Sequence, residues 1–129
     1  MTDEELMEKA KEASKNSYSP YSKFPVGACL LASSGKTYIG TNVENASYGA
    51  TICAERSAIV NAVVNGEREI DAIAIYGQKM KMCAPCGPCR QVIAEFKSKS
   101  KGTKVILEGE DGTLKTFDID ELLPLGFEL

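Results

Sequence analysis

Apolar positions along this chain recur with two periods, and the switches between them mark out its elements. Leu6, Met7, Ala10 and Ala13 fall at helical spacing among charged neighbours, predicting a first helix over residues 3–15 that rests one face on a core. The segment NSYSPYSKFPVG that follows is rich in serine and proline and reads as a loop. GACLLAS (27–33) and KTYIGTN (36–42) flank Ser34-Gly35 and read as two strands joined by a tight hairpin. The irregular stretch NVENASYGAT then leads into a second helix, from about Cys53 to Asn65. Its apolar positions are Ala54, Ala58, Ile59, Ala62 and Val63, and Asn65-Gly66 is its stop.

IDAIAIYG (70–77) is an almost unbroken apolar run, the pattern of a strand covered on both faces. A cysteine-rich loop comes next, then a helix from about Cys86 to Lys97 that uses Val92, Ile93 and Phe96. Lys104 to Glu108 and Leu114 to Ile119 read as two further strands around Glu110-Asp111-Gly112, before a short last helix near Asp120 to Leu123. The order α-β-β-α-β-α-β-β-α is most economically buried as an α/β fold of three layers, with helices on both faces of a central mixed five-stranded sheet. With 129 residues there is material for one core, so a single domain spanning 1–129 is expected.

Composition narrows the function. No apolar run approaches the roughly 20 residues of a spanning helix, and the acidic N-terminus MTDEELMEKAKEASKN lacks the pattern of a secretory leader. A cytoplasmic location with no membrane partner is therefore expected. The net charge of −3 offers no general attraction to a phosphate backbone, so a small molecule is a better expectation than a nucleic acid.

Five cysteines and no histidine set the chemistry. The absence of imidazole removes the Ser-His-Asp, Cys-His and HExxH mechanisms, leaving carboxylate, Lys, Tyr or Cys as acid or base. In a reducing compartment clustered cysteines point to metal or catalysis rather than disulfides. Three of the five lie in Cys83-Ala84-Pro85-Cys86-Gly87-Pro88-Cys89, and Cys53 stands at another helix start. Cys86 and Cys89 span a first helical turn and can direct both sulfurs at one metal. Free N–H groups at such a helix start favour thiolates. Glu55, two residues beyond Cys53, is placed to exchange a proton with water at the open position of a three-thiolate zinc site. Arg56 falls on the same helical face as Cys53, where it can donate to the sulfurs and offset their excess negative charge.

Five blocks in order, FPVGA (24–28), NVENASYG (42–49), CAERSA (53–58), PCGPCRQ (85–91) and LLPLGF (122–127), resemble the small homotetrameric cytidine deaminases over nearly the whole chain. The resemblance implies hydrolytic deamination of cytidine and 2'-deoxycytidine in pyrimidine salvage, with one Zn²⁺ per chain held by Cys53, Cys86 and Cys89. It also implies that Glu55 carries protons between water and ring N3. Asn42 and Glu44 would recognise the ribose, Phe24 would stack on the pyrimidine, and the main chain of Ala54 would contact the base. Gln91 would support a ligand sulfur, and Ala46, Tyr48 and Phe127 would reach sites shared between subunits of a homotetramer.

The sequence departs from the family pattern at Pro88, which the first helical turn tolerates, and at Cys83, an additional thiol that reads as a bystander packed near the site. Two alternatives remain at this level. One is a non-catalytic Cys₄ metal or redox module with Cys53 or Cys29 as the fourth ligand. The other is the same chemistry on a cytosine-nucleoside analogue such as blasticidin S.

Overall fold

The computed structural model describes residues 1–129. Its elements are α1 (Asp3–Ser14), β1 (Val26–Ala32), β2 (Thr37–Thr41), α2 (Ala54–Val64), β3 (Ile70–Gly77), α3 (Gly87–Glu95), β4 (Lys104–Glu108), β5 (Leu114–Asp118) and α4 (Ile119–Leu122). The order matches the one expected from periodicity. A single 3-10 turn at Tyr48–Ala50 is added within the stretch read as irregular. The helix expected to run to Lys97 stops at Glu95, because Phe96 caps it and Lys97 forms a parallel bridge with Ile70 at the start of β3.

The strands form one sheet in the order β2-β1-β3-β4-β5. Only β3 and β4 run parallel, and α3 lies on the crossover between them, as a parallel pair requires. The other neighbouring pairs are antiparallel. Gly35, at φ +93°, closes the β1–β2 hairpin in a backbone region that glycine enters without steric cost.

Helices cover both faces, confirming the three-layer α/β/α arrangement. Leu6, Met7 and Ala10 of α1 pack on Cys29, Ala72, Ala74 and Ile106 on one face. On the other, Ala54, Ala58, Ile59 and Ala62 of α2, Ile93 of α3 and Ile119 of α4 pack with Leu30, Ile73, Ile75, Val105 and Leu107. Two glycines let helices approach the sheet at backbone contact. A Cβ on Gly27 would stand 2.0 Å from the Ala10 carbonyl oxygen, and one on Gly40 would stand 2.3 Å from the Ala58 nitrogen and 2.6 Å from the Ala54 oxygen. Any side chain there would push α1 or α2 away. No helix is long and apolar enough to cross a membrane.

Candidate active site

The site is built where α2 and α3 begin. After β2 the chain turns back on itself: Val43 and Ile52 exchange both main-chain hydrogen bonds, at 2.9 and 3.0 Å. The bridge delivers Cys53 to the N-cap of α2, in extended backbone. On the far side of the loop after β3, Cys86 is the N-cap of α3, with Pro88 at a first-turn position that needs no N–H donor. Neither cysteine makes a side-chain cap bond. Cys89 lies in the first turn of α3 and is fully buried.

The three sulfurs converge. All lie within 4.8 Å of one another, with 3.9 Å between Cys53 and Cys86 and 3.3 Å between Cys86 and Cys89. Sulfurs about 2.3 Å from a tetrahedral zinc stand about 3.8 Å apart, so this set fits such an ion with small adjustment and leaves a fourth position open. Arg56 supports the fit. Its Nη2 donates to Cys53 Sγ at 3.6 Å and to the Thr51 carbonyl at 3.3 Å. Its Nε is buried with no partner, on the same guanidinium whose Nη2 reaches Cys53.

Charge is distributed unequally among the thiols. Cys53 is pulled down to about 5, chiefly by a hydrogen bond from Cys89 and then by Arg56, against the opposing effect of burial. Cys89, the donor to Cys53, is pushed up. Glu55 is 4% exposed, and burial raises its carboxyl to about 7. Negative charge on Cys53 adds to the rise, while its own main-chain N–H, Cys89 and Arg56 counter it.

The remaining cysteines stand apart. Cys83 is half-buried outside the three-sulfur set, packed under the end of β3 so closely that a Cβ on Gly77 would meet its sulfur at 2.9 Å. Burial raises its thiol to about 11. Cys29 is fully buried in the cluster beneath α1, on the opposite side of the sheet, and is likewise raised to about 11. The structure therefore removes Cys29 as a fourth ligand.

Asn42 and Glu44 organise the loop ahead of β1. Asn42 Oδ1 accepts from the Ser17 hydroxyl and from Val26 N–H, and its Nδ2 donates to the Phe24 carbonyl at 2.8 Å. These bonds tie the half-buried Phe24 to the end of β2. Glu44 accepts from the N–H groups of Tyr21 and Ser22 at 3.0 and 3.1 Å and from the Ser22 hydroxyl, which together hold its carboxyl below the usual range. Beside it an open pocket of about 380 Å³ is lined by Tyr21, Ser22, Asn45, Tyr48 and Thr51. Tyr48 stands edge-on to Tyr21 with ring centres 6.5 Å apart. Thr51 belongs both to this pocket and to the Arg56 contact beside Cys53.

Ala54 is buried at the start of α2, whereas Ala46, Tyr48 and Phe127 are exposed. Gln91 differs from expectation: its Nε2 donates to the Phe127 carbonyl at 3.1 Å and not to a ligand sulfur. On α3 its amide therefore faces the C-terminal tail. Sequence reasoning also missed Arg90, whose guanidinium spans Pro85 and Leu122. The only signal for it was its place directly after Cys89.

Comparison with known proteins agrees with this geometry. A family model of the cytidine and deoxycytidylate deaminase zinc-binding region matches residues 1–105. A cytidine deaminase of Sporosarcina psychrophila is 44% identical over 124 residues, covering 96% of this chain and 90% of that one. The crystal structure of a cytidine deaminase from Burkholderia pseudomallei superposes with a TM-score of 0.90 at 43% identity, covering 98% of this chain and all of the other. One from Mycobacterium tuberculosis gives 0.86 at 32% identity over the full length of both.

Proposed function

Since this chain belongs to the cytidine and deoxycytidylate deaminase family, we infer that it is a hydrolase that converts cytidine to uridine and ammonia. The observation that carries the reading is the meeting of three cysteine sulfurs and the buried Glu55 at the paired starts of α2 and α3. Cys53, Cys86 and Cys89 hold the zinc. When bound, zinc supplies a Lewis acid that makes water nucleophilic near neutral pH.

In this reading Glu55 handles the protons. It takes one from the attacking water and gives it to ring N3, so that oxygen adds to C4 as the ring double bond opens. It then takes the proton of the new C4 hydroxyl and passes it to the amino nitrogen, which leaves as ammonia with the electrons of the broken C4–N bond as the C4 carbonyl forms. A carboxyl near 7 can both accept and return a proton at neutral pH. The Arg56 guanidinium and the two helix starts offset the charge of three thiolates, which would otherwise oppose ionising the water.

Substrate recognition follows from groups already oriented. Asn42 retains one amide hydrogen beyond its internal bonds, and Glu44 is held ionised, so the pair suits ribose hydroxyls. Phe24 stacks on the base and the Ala54 main chain contacts it. The reading extends to 2'-deoxycytidine, to pyrimidine salvage in the cytoplasm, and to a homotetramer in which Ala46, Tyr48 and Phe127 complete neighbouring sites. Support for assembly comes from exposed apolar side chains on α2 and the edge strand: Val60 and Val64 of α2 are 62% and 79% exposed, and Ile39 of β2 is 49% exposed.

A metal assay paired with ultraviolet monitoring of cytidine, deoxycytidine and blasticidin S tests the proposal. One colourless zinc per chain and turnover of both nucleosides is the expected result. Turnover of blasticidin S alone would reassign the substrate, and zinc without turnover of any of the three would overturn the enzymatic reading. Sedimentation of the zinc-loaded protein tests the tetramer.

A further inference from the structure

Arg90 has no part in the reading above, yet it joins segments far apart in sequence. Its Nε donates to the Pro85 carbonyl at 2.7 Å, and its Nη1 donates to the Leu122 carbonyl at 2.8 Å. Pro85 is buried and directly precedes Cys86. Proline has no N–H, so that carbonyl is its only main-chain hydrogen-bonding group, and Arg90 satisfies it. Leu122 is the last residue of α4, from which the tail runs to Phe127. The neighbouring Gln91 holds that tail through the Phe127 carbonyl.

The metal loop needs such support. Met82 takes a left-handed φ of 51°, a conformation uncommon for a side chain of its kind, and its N–H is anchored to the Glu108 carbonyl at 2.8 Å. That anchor fixes the start of the cysteine loop, and the Arg90–Pro85 bond fixes its end, one residue from a ligand. A guanidinium presents its donors in a rigid planar fork. The orientation of the Pro85 carbonyl is therefore coupled to that of Leu122 through one side chain, by charge-assisted bonds stronger than neutral ones.

We propose that Arg90 is a positioning residue that locks the metal loop to the C-terminal tail, so that zinc retention and substrate binding depend on the same side chain. The part concerning substrate rests on the deaminase reading, in which the tail carries Phe127 toward a neighbouring site. The part concerning zinc rests only on the loop.

The test uses full-length, zinc-loaded protein and reads the rate of zinc release to a chelating dye alongside KM and kcat for cytidine. Arg90→Ala leaves a buried carbonyl unsatisfied next to Cys86 and is expected to release zinc about tenfold faster, with KM raised several-fold. Gln91→Leu loosens the tail alone and is expected to raise KM while zinc leaves at the wild-type rate. Zinc release at the wild-type rate in Arg90→Ala, or release accelerated equally in Gln91→Leu, overturns the proposal. Should Arg90→Ala fail to fold, Arg90→Lys decides: one ammonium reaches a single carbonyl, so one of the two readouts should shift and the other hold. Wild-type values for both overturn the coupling. A wild-type protein inert toward cytidine would sink the deaminase reading while leaving the zinc-release comparison intact.

Discussion

The four helices of this chain begin in two different ways. α1 and α4 open on complete capping boxes, Thr2 with Glu5 and Asp118 with Glu121, in which side chains satisfy the first free N–H groups. α2 and α3 open on Cys53 and Cys86, which cap nothing with their side chains. A good cap is worth about 1 kcal/mol to a helix, and the two helices at the candidate site do without it. The positive ends of both helix dipoles lie at the three sulfurs instead. The contrast extends to the cysteines themselves. Cys29, sealed under α1, is held at about 11 by burial, whereas Cys53, at an uncapped helix start with Cys89 and Arg56 donating to it, falls to about 5. The same side chain stays an inert thiol where burial dominates and becomes a thiolate where Cys89 and Arg56 donate to it.

The harshest way to break this contrast is to remove a sulfur. Cys86→Ala and Cys89→Ala are expected to lose zinc and with it all measurable deamination, whereas Cys83→Ala should keep both because Cys83 packs outside the three-sulfur set. Zinc content by atomic absorption, with turnover measured on the same samples, checks the division. Zinc loss in the Cys83 variant would show that proximity, not the helix start, selects the ligands.

Glu55→Gln separates the metal from the chemistry. The amide preserves shape and burial but cannot carry a proton, so zinc should stay while kcat falls by roughly two to four orders of magnitude. A variant that retains near-normal turnover would remove Glu55 from the proton path. Loss of zinc would show instead that the carboxyl is needed to hold the site together.

How much of this was legible in the sequence depends on how local each feature is. The element order could be read because apolar period is local, and Cys53 with Cys86 and Cys89 could be grouped because each sits at a recognisable helix start. The 3-10 turn at Tyr48–Ala50 carries no apolar period and could not be read. Partners distant in sequence were also hidden. Asn42 is held by Ser17, 25 residues away, and Glu44 by Ser22, 22 residues away. Gln91 was assigned to a sulfur by resemblance, but its position on α3 turns the amide to Phe127. Arg90 shows the same limit most plainly, since its second bond reaches Leu122, 32 residues further on.

The α1 side offers a milder test, through pH. Glu108 is 8% exposed and lies between Lys11, at 2.8 Å, and Lys81. Lys11 first and Lys81 second hold its carboxyl below the ordinary value of 4.5. A carboxyl lowered by folding contributes stability that is complete above its unfolded value and is lost as pH falls through the folded one. Glu108→Gln should therefore be destabilised by about 1–2 kcal/mol at neutral pH, and its deficit relative to wild type should shrink below pH 4.5. Thermal unfolding of both proteins from pH 3 to 7 measures the gap. A gap that stays constant would mean the lysines contribute packing rather than charge.

The smallest effect is the most direct probe of the two kinds of helix start. Thr2→Ala removes the hydroxyl that accepts from Glu5 N–H at 3.1 Å and leaves the Glu5 side chain bonded to the Thr2 position's N–H without its reciprocal partner. The helix should lose about 1 kcal/mol, a fall in Tm of about 3–6 °C for a chain of this size. Because α1 covers the sheet face away from the sulfurs, zinc release and KM should match wild type. Both are measured on the same preparation as the melting curve, so lost stability cannot be mistaken for lost metal. If zinc leaves faster in this variant, a cap on one face is being felt through the sheet by ligands on the other. The separation between helices that hold the fold and helices that hold the metal would then be a matter of degree rather than of construction.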